Sequence, residues 1–298
     1  MRIIFCFLIL TGCTTQVDII PDNNAPYYGE IPSLLLENYV NRLYIDLLGR
    51  EPLDLEMLND VIFLRSMDVN EKSRDSLIYK LQYDTSYIDG DISYNNAYFN
   101  RFYEILKVRL IEGAADSYII FRSQVWKDSY INDSIGGDMI NAYKRLLEYE
   151  KLQAIINSKL EYKNGLINIR ELHQRLIYNS IYDDINMNTF NYINAVFDNL
   201  FFRYPTSHEF DQCKLMIDDN STQLVLGMSG NSKLDFSIIA CESNEFYEGL
   251  INWSYITFVG RESTVQERDY LMNELKIDGD YQRVQRIIMS SDEYAHFN

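Results

Sequence analysis

Leu43-Tyr44-Ile45-Asp46-Leu47-Leu48-Gly49-Arg50-Glu51-Pro52, with Glu56 just beyond, reads as the end of a helix and the turn that follows it. Upstream, Leu36, Val40, Leu43, Tyr44 and Leu47 fall on one face at helical spacing. Gly49 suits the left-handed cap of that helix, and Pro52 cannot continue it. A second helix is predicted to begin close to Glu56.

The same paragraph is written twice more. Tyr39-Val40-Asn41 through Pro52 and Glu56 is matched by Tyr192-Ile193-Asn194 through Arg203-Tyr204-Pro205 and Glu209. Leu250-Ile251-Asn252 through Gly260-Arg261-Glu262-Ser263 and Glu267 is the third copy. An asparagine, an aromatic three residues on, an arginine and a final glutamate keep their spacing throughout. In the later copies Thr206 to Glu209 and Thr264 to Glu267 are capping boxes. Each copy closes on an aromatic, at Tyr87, Phe246 and Tyr294. A degenerate fourth copy starts at Asn100-Arg101-Phe102-Tyr103, with Arg109 in the arginine slot and no proline turn. Repetition on this scale predicts an all-α fold of about a dozen helices, built as tandem helical-hairpin units that pack on their neighbours. The units fall at 34–94, 186–248 and 249–298, around a divergent helical segment at 95–185. No window shows strand alternation.

The turn from Leu43 to Pro52 with Glu56 resembles domains of unknown function in bacterial surface proteins. One group accompanies cytochrome-like domains in planctomycetes. The other is a repeated helical module of secreted proteins, whose closing Ser-x-Glu-Tyr is similar to Ser291-Asp292-Glu293-Tyr294. The resemblance covers 36–87 and 190–298 and implies a fold, with no activity attached. The second copy departs from it, with Phe202 in the glycine slot and Tyr204 for the glutamate.

The first thirteen residues fix a different property. One positive charge, a short apolar run and small residues before a cysteine make a secretory signal, too short to span a bilayer. Leu10-Thr11-Gly12-Cys13 resembles a bacterial lipobox. That resemblance implies cleavage after residue 12, a mature chain starting at Cys13, and acyl chains on that cysteine. Thr14 stands where the inner-membrane retention signal has Asp, which points to the outer membrane. Residues 13–33, with Pro21, Pro26 and Pro32, read as a tether.

Hydrophobic residues at 47% are enough to build a core. A net charge of −17 repels phosphate backbones, so nucleic acid is excluded as an expected partner. With Cys6 in the signal and Cys13 acylated, only Cys213 and Cys241 remain in the body. An oxidising compartment permits a disulfide between them, and two buried thiols are the alternative.

Candidate chemistry is sparse. Asp184-Ile185-Asn186-Met187-Asn188 and Asp89-Gly90-Asp91 have alternating oxygen ligands but lack the glycine and the final bidentate carboxylate of a calcium loop, so both read as polar turns. His173, His208 and His296 share no metal-ligand spacing, and Gly227-Met228-Ser229-Gly230 is not a nucleophile elbow. No cofactor is expected. Glu242-Ser243-Asn244-Glu245-Phe246 looks like the Glu-Ser-x-x-Phe stretch of lytic transglycosylases, which would make Glu242 a general acid in an apolar pocket. The motif that should follow is absent, and the repeat explains the rest of the stretch. Arg50, Arg203 and Arg261 could form a row of ligand contacts. The simpler reading has each arginine satisfying its own helix end or pairing with the following glutamate. The expected function is therefore non-enzymatic: an envelope scaffold or adaptor that holds a protein partner on its helix faces. The alternatives are a glycan-binding surface, with a set such as Tyr27, Tyr28, Tyr94 and Tyr98 lining one groove, and the peptidoglycan-cleaving enzyme.

Overall fold

The computed structural model describes residues 31–86 and 92–297. The signal, Cys13, the tether up to residue 30, Tyr27, Tyr28, Tyr87 and the Asp89-Gly90-Asp91 turn lie outside the described residues, while Ile31 at the tether's end enters the core, Pro32 caps α1 and Ser33 begins it. Among the described residues the fold is all-α, with fifteen helices and one short ribbon. The first unit is α1 (Ser33–Leu48), α2 (Asp54–Ser66) and α3 (Glu71–Tyr83). The centre is α4 (Tyr94–Ile111), α5 (Asp116–Ile135), α6 (Met139–Lys163), α7 (Ile169–Ile177) and α8 (Ser180–Asn186). Then come α9 (Thr189–Phe201), α10 (Ser207–Asp218), β1 (Gln223–Val225), β2 (Met228–Gly230) and α11 (Lys233–Glu242). The last unit is α12 (Asn244–Phe258), α13 (Val265–Asp278), α14 (Tyr281–Met289) and α15 (Asp292–Ala295).

Each sequence copy folds into three helices that all touch one another: α1–α2–α3, α9–α10–α11 and α12–α13–α14. The predicted face of α1 is the buried one, with Leu36, Val40, Leu43, Tyr44 and Leu47 all within the core. Gly49 ends α1 in the left-handed region at φ 74°, as its slot demands. Both threonine capping boxes form, with Glu209 and Glu267 each accepting at 2.7 Å from the amide of its threonine.

The units do not line up as an open row. α14 packs on α3, so the last unit lies against the first, while α12 packs on α9. Tyr39 of α1 donates to the Met289 carbonyl at 3.2 Å, and Tyr294 donates to Asp46 at 2.8 Å. α4 occupies the middle, touching α1, α3, α6, α7 and α8. Most of the buried tyrosines keep a partner for the hydroxyl while the ring packs. Tyr98, for example, donates to Gln285 at 2.6 Å.

Two expectations change here. The stretch at 223–230, read as lacking strand character, forms an antiparallel ribbon, with Gln223 opposite Gly230 and Val225 opposite Met228. Leu226 and Gly227 both take positive φ, which closes the two-residue hairpin turn. Its strands are three residues long, too short for alternation to register. The disulfide alternative also falls: Cys213 on α10 and Cys241 on α11 are free, buried thiols. Burial pushes the Cys213 thiol up to about 12 and raises that of Cys241 as well.

Candidate functional site

The three turn arginines are built into one recurring cluster. Arg50 binds Glu56 through both terminal nitrogens, at 2.7 and 2.8 Å, and donates to the Glu51 carbonyl at 2.9 Å. Arg203 does the same with Glu209 and the Tyr204 carbonyl, and Arg261 with Glu267 and the Glu262 carbonyl. The aromatic that follows the repeat asparagine lies under each guanidinium: Tyr44, Phe197 and Tyr255, at 5.4, 5.0 and 4.9 Å. In the later copies a second carboxylate joins, Glu245 on Arg203 and Glu293 on Arg261. Those two come from the closing Ser-x-Glu-aromatic motifs. The motif was visible in sequence, but its pairing with an arginine 42 or 32 residues away was not. The guanidinium forks are spent on the turn itself, which makes Gly49, Arg50, Arg203, Gly260 and Arg261 parts of the scaffold.

These pairs carry a pH dependence. The hydrogen bonds from Arg203 and Arg261 hold the Glu209 and Glu267 carboxyls at about 2, below the usual 4.5. A depressed folded-state value means stability that is complete above the ordinary carboxylate range and lost as pH falls through the folded value. Unfolding free energy is therefore expected to drop between about pH 5 and about pH 2. Arg203→Met with Arg261→Met should flatten that acid limb in urea titrations. An unchanged limb would show that other carboxylates set it.

The remaining candidates separate on burial. His173 on α7 is fully buried, with Nδ1 2.8 Å from the Ile169 carbonyl and its ring edge-on to Phe246. Burial pulls its pKa down to about 3, so it stays neutral. The stretch read as a polar turn is mostly helical: Asp184 to Asn186 form the last turn of α8, with Asp184 pairing with Arg122 at 2.8 Å, and only Met187 and Asn188 turn the chain into α9, which Asn188 caps. No three metal-ligating side chains cluster among the described residues. Glu242 is exposed and lies 3.8 Å from Arg170. It lines an open groove of mixed polar and apolar character with Asn168, Glu171, Gln174, Leu234 and Ile238, where its exposure and the nearby Arg170 differ from the enclosed apolar pocket a general-acid glutamate requires.

The most conspicuous surface lies on the central segment. α5 and α6 form an antiparallel hairpin joined by Gly136-Gly137, and α5 makes its substantial helix contacts with α6. Twenty residues at 1.5 Å each make α5 about 30 Å long, and the arm is the part of the hairpin beyond Trp126. Its base is fixed by Trp126 donating to Ser180 at 3.0 Å and by Leu152, Ile155 and Tyr162 entering the core. Farther out, Arg145 stacks on Trp126 and Lys127 on Tyr149, within the arm. Met139, Tyr143 and Leu147 form an exposed row at four-residue spacing, and Ile135 and Ile140 flank it at 81% and 74% exposure. Residues 116–163 hold seven basic and seven acidic side chains, so the arm is neutral while the rest of the chain carries the −17.

No protein-family model, curated protein or solved structure matches the chain. Among the described residues, no helix is long and apolar enough to cross a membrane.

Proposed function

We propose that the protein is a non-enzymatic scaffold or adaptor of the cell envelope, lipid-anchored through Cys13 to the outer membrane, and that the α5–α6 arm holds its protein partner. The uncovered apolar row on that arm carries the reading. A contiguous exposed apolar face marks an interaction surface, and anchors at four-residue spacing suit insertion into a partner's groove. A neutral arm also lets a partner approach without meeting the charge of the acidic body.

The test is recovery of the natively lipidated protein from its own envelope in mild detergent, with mass spectrometry of what accompanies it. A stoichiometric membrane partner should survive salt and be lost from an Ile140→Asp, Tyr143→Asp variant whose melting temperature is unchanged. A protein recovered alone, or a partner held equally by that variant, would overturn the arm's role. The residues first named for the alternatives do not serve them. Tyr94 and Tyr98 are 5% and 1% exposed and cannot stack on a sugar, and the exposed, Arg170-paired Glu242 lacks the setting for peptidoglycan cleavage.

A further inference from the structure

We propose that the open groove along α9 is a binding site for a neutral sugar, separate from the arm. The groove holds about 530 Å³, within the range of small-ligand sites. Phe190 and Tyr204 line it as exposed rings, at 62% and 70% exposure, with Asn191, Asn194 and Asp198 also along it. Asn194 donates to the Phe190 carbonyl at 2.9 Å, which fixes its amide and leaves its side-chain oxygen to accept. Ring faces that take the apolar side of a pyranose, beside amides and a carboxylate that take its hydroxyls, are the chemistry of sugar recognition.

The internal repeat supplies a second, independent argument. Phe190 occupies the position held by Glu37 and Glu248 in the other copies, and Tyr204 the position of Glu51 and Glu262. At both positions the glutamate of the other copies is replaced by an aromatic ring in this one copy, and both rings line the same groove. Phe190 packs one side of its ring on Phe210 at 5.1 Å, whereas the fold does not require the Tyr204 ring. The Tyr204 carbonyl accepts from Arg203 just as those of Glu51 and Glu262 accept from Arg50 and Arg261, so the turn is held through the backbone. Asp198 likewise stands where the other copies have Ile45 and Ile256. That carboxylate and the acidic body repel uronates and phosphorylated glycans. The ligand class is therefore a short neutral oligosaccharide of hexose or N-acetylhexosamine units.

Saturation-transfer NMR on the full-length protein, in a detergent without a sugar headgroup, tests the site. The probes are chitotriose and cellotriose, with trigalacturonate as the anionic control. At least one neutral trisaccharide should bind with a Kd on the order of 1 mM or tighter. Tyr204→Ala should weaken it about tenfold, equivalent to 1.4 kcal/mol. Tyr204→Glu, the residue of the other copies, should abolish binding while the melting temperature stays unchanged. No transfer to either neutral sugar, equal transfer in Tyr204→Glu, or preference for trigalacturonate would overturn the proposal.

Discussion

Replacing Arg74 by methionine is expected to lower the unfolding free energy by about 3–5 kcal/mol, the cost of breaking a buried ionic contact from one side. Arg74 sits on α3 at 1% exposure. Its Nε donates to the Ser290 carbonyl at 2.7 Å, a terminal nitrogen meets Asp292 at 2.6 Å, and the guanidinium lies over Phe297. Ser290 and Asp292 mark the junction of α14 and α15, so this one side chain joins the last unit to the first. Methionine fills the space but strands the carbonyl in the seam without a donor. Asp292 is 40% exposed and can turn to water, so Asp292→Asn should cost about 1 kcal/mol or less. Urea denaturation of both variants measures the contrast. A loss below about 1 kcal/mol for Arg74→Met would mean that the seam contributes little.

The same device recurs at other seams. Arg42 of α1 donates to the Phe258 carbonyl at the end of α12 and to the Tyr294 carbonyl. Arg109 of α4 donates to the Asn199 carbonyl near the end of α9, with its guanidinium over Phe202 and Trp253. Helix C-termini carry partial negative charge and free carbonyls, so a cation there answers both. Arg109 holds the arginine slot of the degenerate fourth copy, yet it serves a neighbouring helix instead of its own turn. Burial pulls its pKa down to about 10, which leaves it charged at neutral pH. Phe202, in the glycine slot at φ 56°, costs on the order of 1–2 kcal/mol in backbone strain, and its ring gives Arg109 a stacking surface in return.

What could be read from the sequence was local. The cap at Gly49, the threonine boxes and the Arg–Glu pairs span six residues or fewer, and the face of α1 is built from steps of three and four, all within reach of spacing rules. The aromatic under each guanidinium lies six residues before it, a spacing legible in the sequence although its role is not. The seams were hidden because Arg74 and Ser290 stand 216 residues apart, and nothing local tells a sealing arginine from a solvated one. The arm was hidden for the opposite reason. Met139, Tyr143 and Leu147 have the period of any core-facing helix, and only the fold shows that the core lies elsewhere. The substitutions at Phe190, Asp198 and Tyr204 were present in the internal alignment, but their meeting in one groove needed the turn of α9 into α10.

Gly249→Ala sets two physical rules against each other. Gly249 lies inside α12, where alanine is intrinsically the better helix former by about 1 kcal/mol, so propensity alone predicts stabilisation. A Cβ at this position would fall 1.8 Å from the Leu200 carbonyl oxygen and 3.3 Å from the Phe201 Cα. The obstacle is the backbone of α9 in its last turn, which cannot rotate away as a side chain can. Relief requires α9 and α12 to separate along their contact, and that opens the packing around it. The clash should therefore win, with a net loss of about 3–5 kcal/mol, beyond the usual cost of an added methyl group. Gly260→Ala is the comparison. Gly260 takes φ 81° with no atom near its missing Cβ, so only backbone strain of about 1–2 kcal/mol is at stake. Steric approach between helices thus predicts the larger loss at the glycine with ordinary helical geometry. If urea denaturation instead finds Gly249→Ala neutral or stabilising, the close crossing of α9 and α12 is wrong, and with it the packing of the second unit on the third.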